Sequence, residues 1–117
     1  MRLCNAAVAG LRSAGLFVAI HFDWDDDKAA RNVRKHGISF EEVIVLFTSG
    51  ADYLEIFDDD HSHEEERFIC IGPIARGIIP AVIVDVAIDV IRIISARRAT
   101  RRESVLYGQI LEERSGD

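Results

Sequence analysis

Hydrophobic and polar positions alternate with two different periods along this chain, and the switches between them mark out its elements. Residues 16–24, LFVAIHFDW, are short, apolar and partly alternating, which predicts a strand. Asp25, Asp26 and Asp27 then suit a helix start, where unpaired N–H groups favour negative charge. That helix continues through DKAARNVRKHG, with Lys35 and His36 in the last turn and Gly37 in the stop position. A second helix follows from Ser39, whose spacing to Glu42 is that of a capping box; Phe40, Val43, Ile44 and Phe47 recur at helical spacing and form its apolar face.

Beyond the break at TSGAD come strand-like runs. DYLEIFD and ERFICIG alternate, the latter with Phe68 and Cys70 on one face and Ile69 and Ile71 on the other. The long β-branched run 78–96 folds as two strands with a turn near Asp85–Asp89, and Pro80 belongs near a strand start or an edge. A last helix begins at Thr100, which with Glu103 repeats the capping-box spacing; Val105, Leu106 and Ile110 mark its packed face, with Gly108 a weak point. The predicted order is β-α-α-β-β-β-β-α. Consecutive strands with short links give a mostly antiparallel sheet with helices packed on it, an α+β domain. Residues 16–117 form that single domain, with residues 1–15 as a loosely attached, disordered extension.

Composition adds two points. The 117 residues hold 20 acids against 14 bases, a net charge of −6, which argues against loose, whole-surface binding of nucleic acid. The distribution is uneven: residues 23–66 carry 14 acids and 4 bases, whereas residues 92–114 carry 6 arginines and 3 acids. No window reaches the roughly 18 apolar residues of a spanning helix. The N-terminal apolar stretch is split by Arg12 and lacks a small-x-small cleavage site, so no export signal is expected. Cys4 and Cys70 make no disulfide framework, which fits a reducing cytoplasm.

The candidate chemistry gathers where the acidic balance reverses. Five arginines, at 92, 97, 98, 101 and 102, stand in the twelve residues where an apolar strand gives way to the last helix. A helix N-terminus is the wrong end for cations unless an anion is bound there, so a phosphate would satisfy both the guanidinium groups and the free N–H groups. The bland alternative is a solvated face. His36 is the side chain best suited to proton transfer, although capping of a helix C-terminus also explains Lys35 and His36. Arg67 opens a strand after three acids and either reaches along the sheet toward the other arginines or pairs with Glu64, Glu65 or Glu66. Tyr107 is either core or presents its hydroxyl to the arginines. The run DDDHSHEEER matches no zinc or calcium spacing and reads as a polar hairpin turn, so no metal or cofactor is expected.

The blocks FDWDDDKAARNVRKHGISFEEVIVLF, HEEERFICIG and IRIISARRATRRESVLY, in this order and spacing, resemble the BrnT family of bacterial toxins over about Phe22 to Tyr107. The resemblance implies the toxin half of a type II toxin–antitoxin pair with a RelE/ParE-like fold: a metal-independent ribonuclease that cuts RNA and stops translation and growth. It implies a BrnA-like antitoxin with a ribbon-helix-helix domain as partner in a hetero-oligomer, operator DNA being contacted only through that partner. It places Lys35, His36, Glu66, Arg67, Arg97, Arg98 and Tyr107 in the active site. His36 transfers protons with Glu66 or Tyr107 as second group, the cations hold phosphate, and Arg101, Arg102 and Glu103 take backbone or supporting contacts. The alternative is a module, or decayed toxin, that grips nucleic acid or a partner without catalysis. Two stretches depart from the family pattern: residues 1–15 have no counterpart, and VDVAIDV is more apolar than the polar turn expected there.

Overall fold

The computed structural model describes residues 2–12, 16–59 and 65–115, with side chains over 20–59 and 65–113. In chain order the elements are β1 (Arg2–Arg12), β2 (Leu16–Trp24), α1 (Asp26–His36), α2 (Phe40–Thr48), β3 (Leu54–Phe57), β4 (Arg67–Ile74), β5 (Gly77–Ala87), β6 (Val90–Ala96) and α3 (Arg101–Ser115). The strands form one six-stranded sheet in the order β1-β2-β6-β5-β4-β3. Every neighbouring pair is antiparallel except β2 and β6, which run parallel over His21–Asp23 and Val90–Arg92. The α+β reading of the sequence therefore holds.

Both helix starts after β2 form for the local reasons written in the sequence. Asp25 accepts hydrogen bonds from the N–H groups of Asp27 and Lys28 and caps α1. Ser39 and Glu42 complete a reciprocal capping box on α2. Between the two helices Gly37 takes a left-handed conformation, φ 72°, and its N–H donates to the Val33 carbonyl, which ends α1.

The main core lies between one face of the sheet and the α1–α2 segment. Phe22, Trp24, Phe40, Val43, Leu46, Ile83 and Ile93 are buried there, and Trp24 meets Phe40 edge-on at 5.9 Å between ring centroids. On the other face Tyr107, Ile110 and Leu111 of α3 cover Leu54, Ile69, Ile71 and Ile78. Gly72 lets the segment after α2 close onto the sheet, because a Cβ at that position would lie 2.7 Å from the Tyr53 Cβ.

Three expectations change, and one strand departs from plain alternation. Arg2–Arg12, expected as a disordered extension, is the edge strand β1, paired with β2 from Arg2 opposite Trp24 to Arg12 opposite Leu16. The packed face of α3 is the stripe Tyr107–Ile110–Leu111, so Val105 and Leu106 are exposed; the Tyr107 hydroxyl donates to the Asp52 carbonyl at 2.6 Å and fixes the helix rotation. Pro80 sits inside the interior strand β5. Its carbonyl accepts from the Arg97 N–H, so the ring nitrogen faces the same side, just past the last residue of β6, and interrupts no ladder bond. Finally, β6 does not alternate throughout. Ile83 faces Ile93 and Val82 faces Ser95, which leaves Ile94 as a bulge. As a result Ile91, Ile93 and Ala96 all point into the main core, although simple alternation predicts Ile91 and Ala96 on opposite faces.

Candidate active site at the α1–β6 junction

β2 leaves the edge of β6 after Arg92, and α1 takes its place. A single buried amide makes that junction. The Asn32 side chain, 6% exposed, donates to the Ile38 carbonyl at 2.8 Å and accepts from the Ala96 N–H at 3.0 Å. It ties α1, the turn after it and the last residue of β6 to one point, and it gives the edge N–H of Ala96 a partner. His36 lies one helical turn beyond Asn32. A shallow groove of about 270 Å³ opens above the amide, walled on one side by Lys28, Arg31, Lys35 and His36 and on the other by Ile94 and Ser95. The bulge at Ile94 therefore forms part of the groove wall.

The turn that follows His36 is braced from below. Arg76, in the turn between β4 and β5, donates to the Gly37 carbonyl and, at 2.8 Å, to a Glu42 carboxylate oxygen. The same oxygen accepts from the Ser39 N–H. Burial pushes the Glu42 carboxyl up, but the Arg76 and Ser39 bonds outweigh it and hold the group below its usual range.

The arginines beyond β6 divide into two kinds. Arg97 makes a bidentate pair with Glu103 at 2.8 and 2.9 Å. Glu103 also accepts from the Thr100 N–H while its own N–H donates to the Thr100 hydroxyl. Part of the anion that a cationic helix N-terminus calls for is thus supplied from within the chain. The Arg97 pair, against a smaller opposing effect of burial, draws the Glu103 carboxyl down to about 2. Arg98, Arg101 and Arg102 are exposed, and none of them forms an ion pair among the described residues.

This clasp carries a pH dependence. The folded-state pKa of Glu103 lies below its unfolded value of 4.5, so its contribution is complete above about pH 4.5 and is lost as pH falls toward 2. Glu103→Gln should cost roughly 1–2 kcal/mol near neutral pH, discounted because the Arg97 side is largely solvated. Urea midpoints should show the gap between wild type and variant narrowing below pH 4; a gap that stays constant from pH 6 to pH 2.5 would count against the clasp.

Not all expected site residues converge. Lys35 and His36 share the groove, and Arg97 and Arg98 follow one residue after Ile94 and Ser95, the β6 residues that wall it. Arg67 does not reach this region. It opens β4, in register through Val84 with Arg92 at the start of β6, so it lies about 15 Å along the strands from Arg97 and two strands across. It pairs there with Glu65, which also reaches Arg92, itself paired with Asp23. Glu66 precedes Arg67 at that far end and is exposed. Tyr107 belongs to the α3 core, where burial first and the Asp52 charge second push its hydroxyl pKa up. The run at 60–64 lies outside the described residues, and among those described no group of three or more His, Cys, Asp or Glu is placed to hold a metal ion. Conversely, the sequence reading passed over Asn32, Lys28 and Arg31. The spacing Lys28, Arg31, Asn32, Lys35 was their available signal, since it puts all four on one face of a helix.

The family profile described as the ribonuclease toxin BrnT of type II toxin–antitoxin systems matches residues 24–103. The crystal structure of the Brucella abortus ribonuclease toxin BrnT superposes with a TM-score of 0.55 at 24% sequence identity, over 68% of this chain and 96% of that one, and so shares its fold. Among curated proteins none matches this sequence. The matched span includes α1, the Asn32 amide, the bulge and the Arg97–Glu103 clasp, and excludes β1 and all of β2 except its last residue.

Proposed function

Because this chain belongs to the BrnT family of ribonuclease toxins of type II toxin–antitoxin systems, we propose that it cleaves RNA without a metal ion, at the groove between α1 and β6, and that this cleavage stops growth. The observation that carries the reading is the Asn32 junction. It sets an imidazole and an ammonium group against the end of β6, from which Arg98 projects with no ion-pair partner among the described residues.

In this reading the ribose 2′-oxygen attacks the adjacent phosphorus as His36 takes its proton, and the bond to the 5′-oxygen breaks. The departing 5′-oxygen takes a proton from Lys35 or from water. Lys35 and Arg98 stand against the negative charge that develops on the phosphoryl oxygens. Arg97, held by Glu103, orients the chain rather than the phosphate. Glu66, Arg67 and Tyr107 lie outside this scheme, which leaves His36 as the proton acceptor. An antitoxin partner follows from the family. We further propose that it is BrnA-like and that the pair works in the cytoplasm, consistent with the absence, among the described residues, of any helix long and apolar enough to cross a membrane.

The groove's single imidazole also fits a module that grips RNA without cutting it, and one experiment separates the two. Purified protein incubated with single-stranded RNA in EDTA should yield fragments ending in 2′,3′-cyclic phosphate and 5′-hydroxyl. RNA retained intact on the protein would favour the module, and cleavage that needs added divalent metal would refute the metal-free mechanism.

A further inference from the structure

Lys28 and Arg31 stand on the groove wall, yet the proposed chemistry uses neither. Helix capping does not explain them. Arg34, Lys35 and His36 occupy the last turn of α1, where the dipole favours positive charge, but Lys28 follows directly on the two acids of the first turn, at the end that disfavours it. Solvation of a random surface does not explain them either. In a chain with 20 acids and 14 bases, a groove lined by two lysines, an arginine and a histidine contains no carboxylate. Arg31 to Lys35 is one turn and Lys28 to Lys35 two, so the cations rise along the axis in steps of about 4.5 and 6 Å. That step is comparable to the separation of neighbouring phosphates in an extended single strand. The Asn32 side chain is buried and committed to Ile38 and Ala96, so the amide on the groove floor serves the fold rather than a base.

We propose that the Lys28–Arg31–Lys35 face of α1 is a track for the backbone of single-stranded RNA, holding two phosphates next to the scissile one independently of sequence. The inference rests on the reading of the groove as an RNA site. The track is short because Asp25, Asp26 and Asp27, at and just beyond its far end, repel a further phosphate. The strand therefore enters over the first turn of α1, at Lys28, and leaves past the bulge of β6 toward Arg98. RNA is favoured over an acidic peptide by the open, shallow form of the groove and by its regular cation spacing. A peptide would need backbone partners, and the one β6 edge N–H identified at this junction, that of Ala96, is already taken by Asn32.

The test uses the full chain carrying Lys28→Gln and Arg31→Gln together, with both residues changed to the other cation (Lys28→Arg, Arg31→Lys) as the rescue variant. The probes are a 20-nucleotide single-stranded RNA and its 2′-deoxy analogue, which binds but offers no attacking hydroxyl. The Gln variant should bind the analogue at least tenfold more weakly, and its log Kd should depend less steeply on log salt by about 1.4, or 0.7 per lost phosphate contact. On RNA its KM should rise about tenfold while kcat falls less than threefold, and the rescue variant should restore binding. Unchanged affinity and salt slope with RNA cleavage intact would overturn the track and leave the nuclease standing. Weakened analogue binding in a protein whose wild type cuts no RNA would support the track and remove the nuclease. Binding of polyglutamate by a wild type that binds no analogue would overturn the track in favour of an acidic peptide.

Discussion

Alanine in place of His36 should slow RNA cleavage about 10²–10⁴-fold, the range removed when a positioned proton-transfer group is lost. The fold should survive. The imidazole is half-buried at the mouth of the groove, and the ties that hold this corner are made by Asn32, Gly37, Ser39, Glu42 and Arg76. Initial rates on end-labelled RNA, with thermal midpoints as control, measure both quantities. A well-folded His36→Ala protein that cleaves at the wild-type rate would move the chemistry away from the groove. Binding of a 2′-deoxy RNA should be nearly unaffected, since the phosphate contacts lie with the lysines and arginines.

Asn32→Ala should damage stability and activity together. The substitution leaves the Ile38 carbonyl and the Ala96 N–H without partners in a buried setting, and each costs about 1–3 kcal/mol. A combined loss of about 3 kcal/mol lowers the midpoint of a domain of this size by roughly 10–15 °C. At a temperature where the variant is still folded, cleavage should fall at least tenfold further, because this amide is the side-chain hydrogen bond that ties α1 to the end of β6. Asn32→Asp keeps the shape but sets a carboxylate oxygen against the Ile38 carbonyl, and should be at least as damaging. Calorimetry and single-turnover cleavage at a temperature well below both midpoints separate the two effects. An Asn32→Ala protein with unchanged midpoint and rate would show that the junction is held by something other than this amide.

What the sequence disclosed and what it withheld follow from the range of the forces involved. The two capping boxes, at Ser39–Glu42 and Thr100–Glu103, and the left-handed Gly37 are settled within a few residues, so their spelling is sufficient. The turn between β5 and β6, despite its apolar residues, falls at Ile88–Asp89, within the window that the pattern implied. Asn32 was illegible. In a helix crowded with charge an amide looks like a solvated residue, and only contacts 6 and 64 residues away in the chain make it a junction. Arg67 illustrates the same limit in reverse. Its approach to an arginine of β6 was foreseeable, but only strand order and direction decide that this partner is Arg92 rather than Arg97. Tyr107 was left open between core and site because its carbonyl partner, at Asp52, belongs to a loop with no pattern of its own.

The unmatched residue at position 94 works as a half-turn of rotation written into one strand. Upstream of it, odd-numbered side chains of β6 enter the interior; downstream, even-numbered ones do. Drawing that residue into the regular ladder, without removing it, would impose plain alternation, turn the methyl group of Ala96 outward and drive the first of the paired guanidinium side chains toward the apolar layer. Aligning relatives by alternation alone would misassign the same positions by one. Which way the whole arginine-bearing corner faces thus depends on an isoleucine without a partner in the ladder.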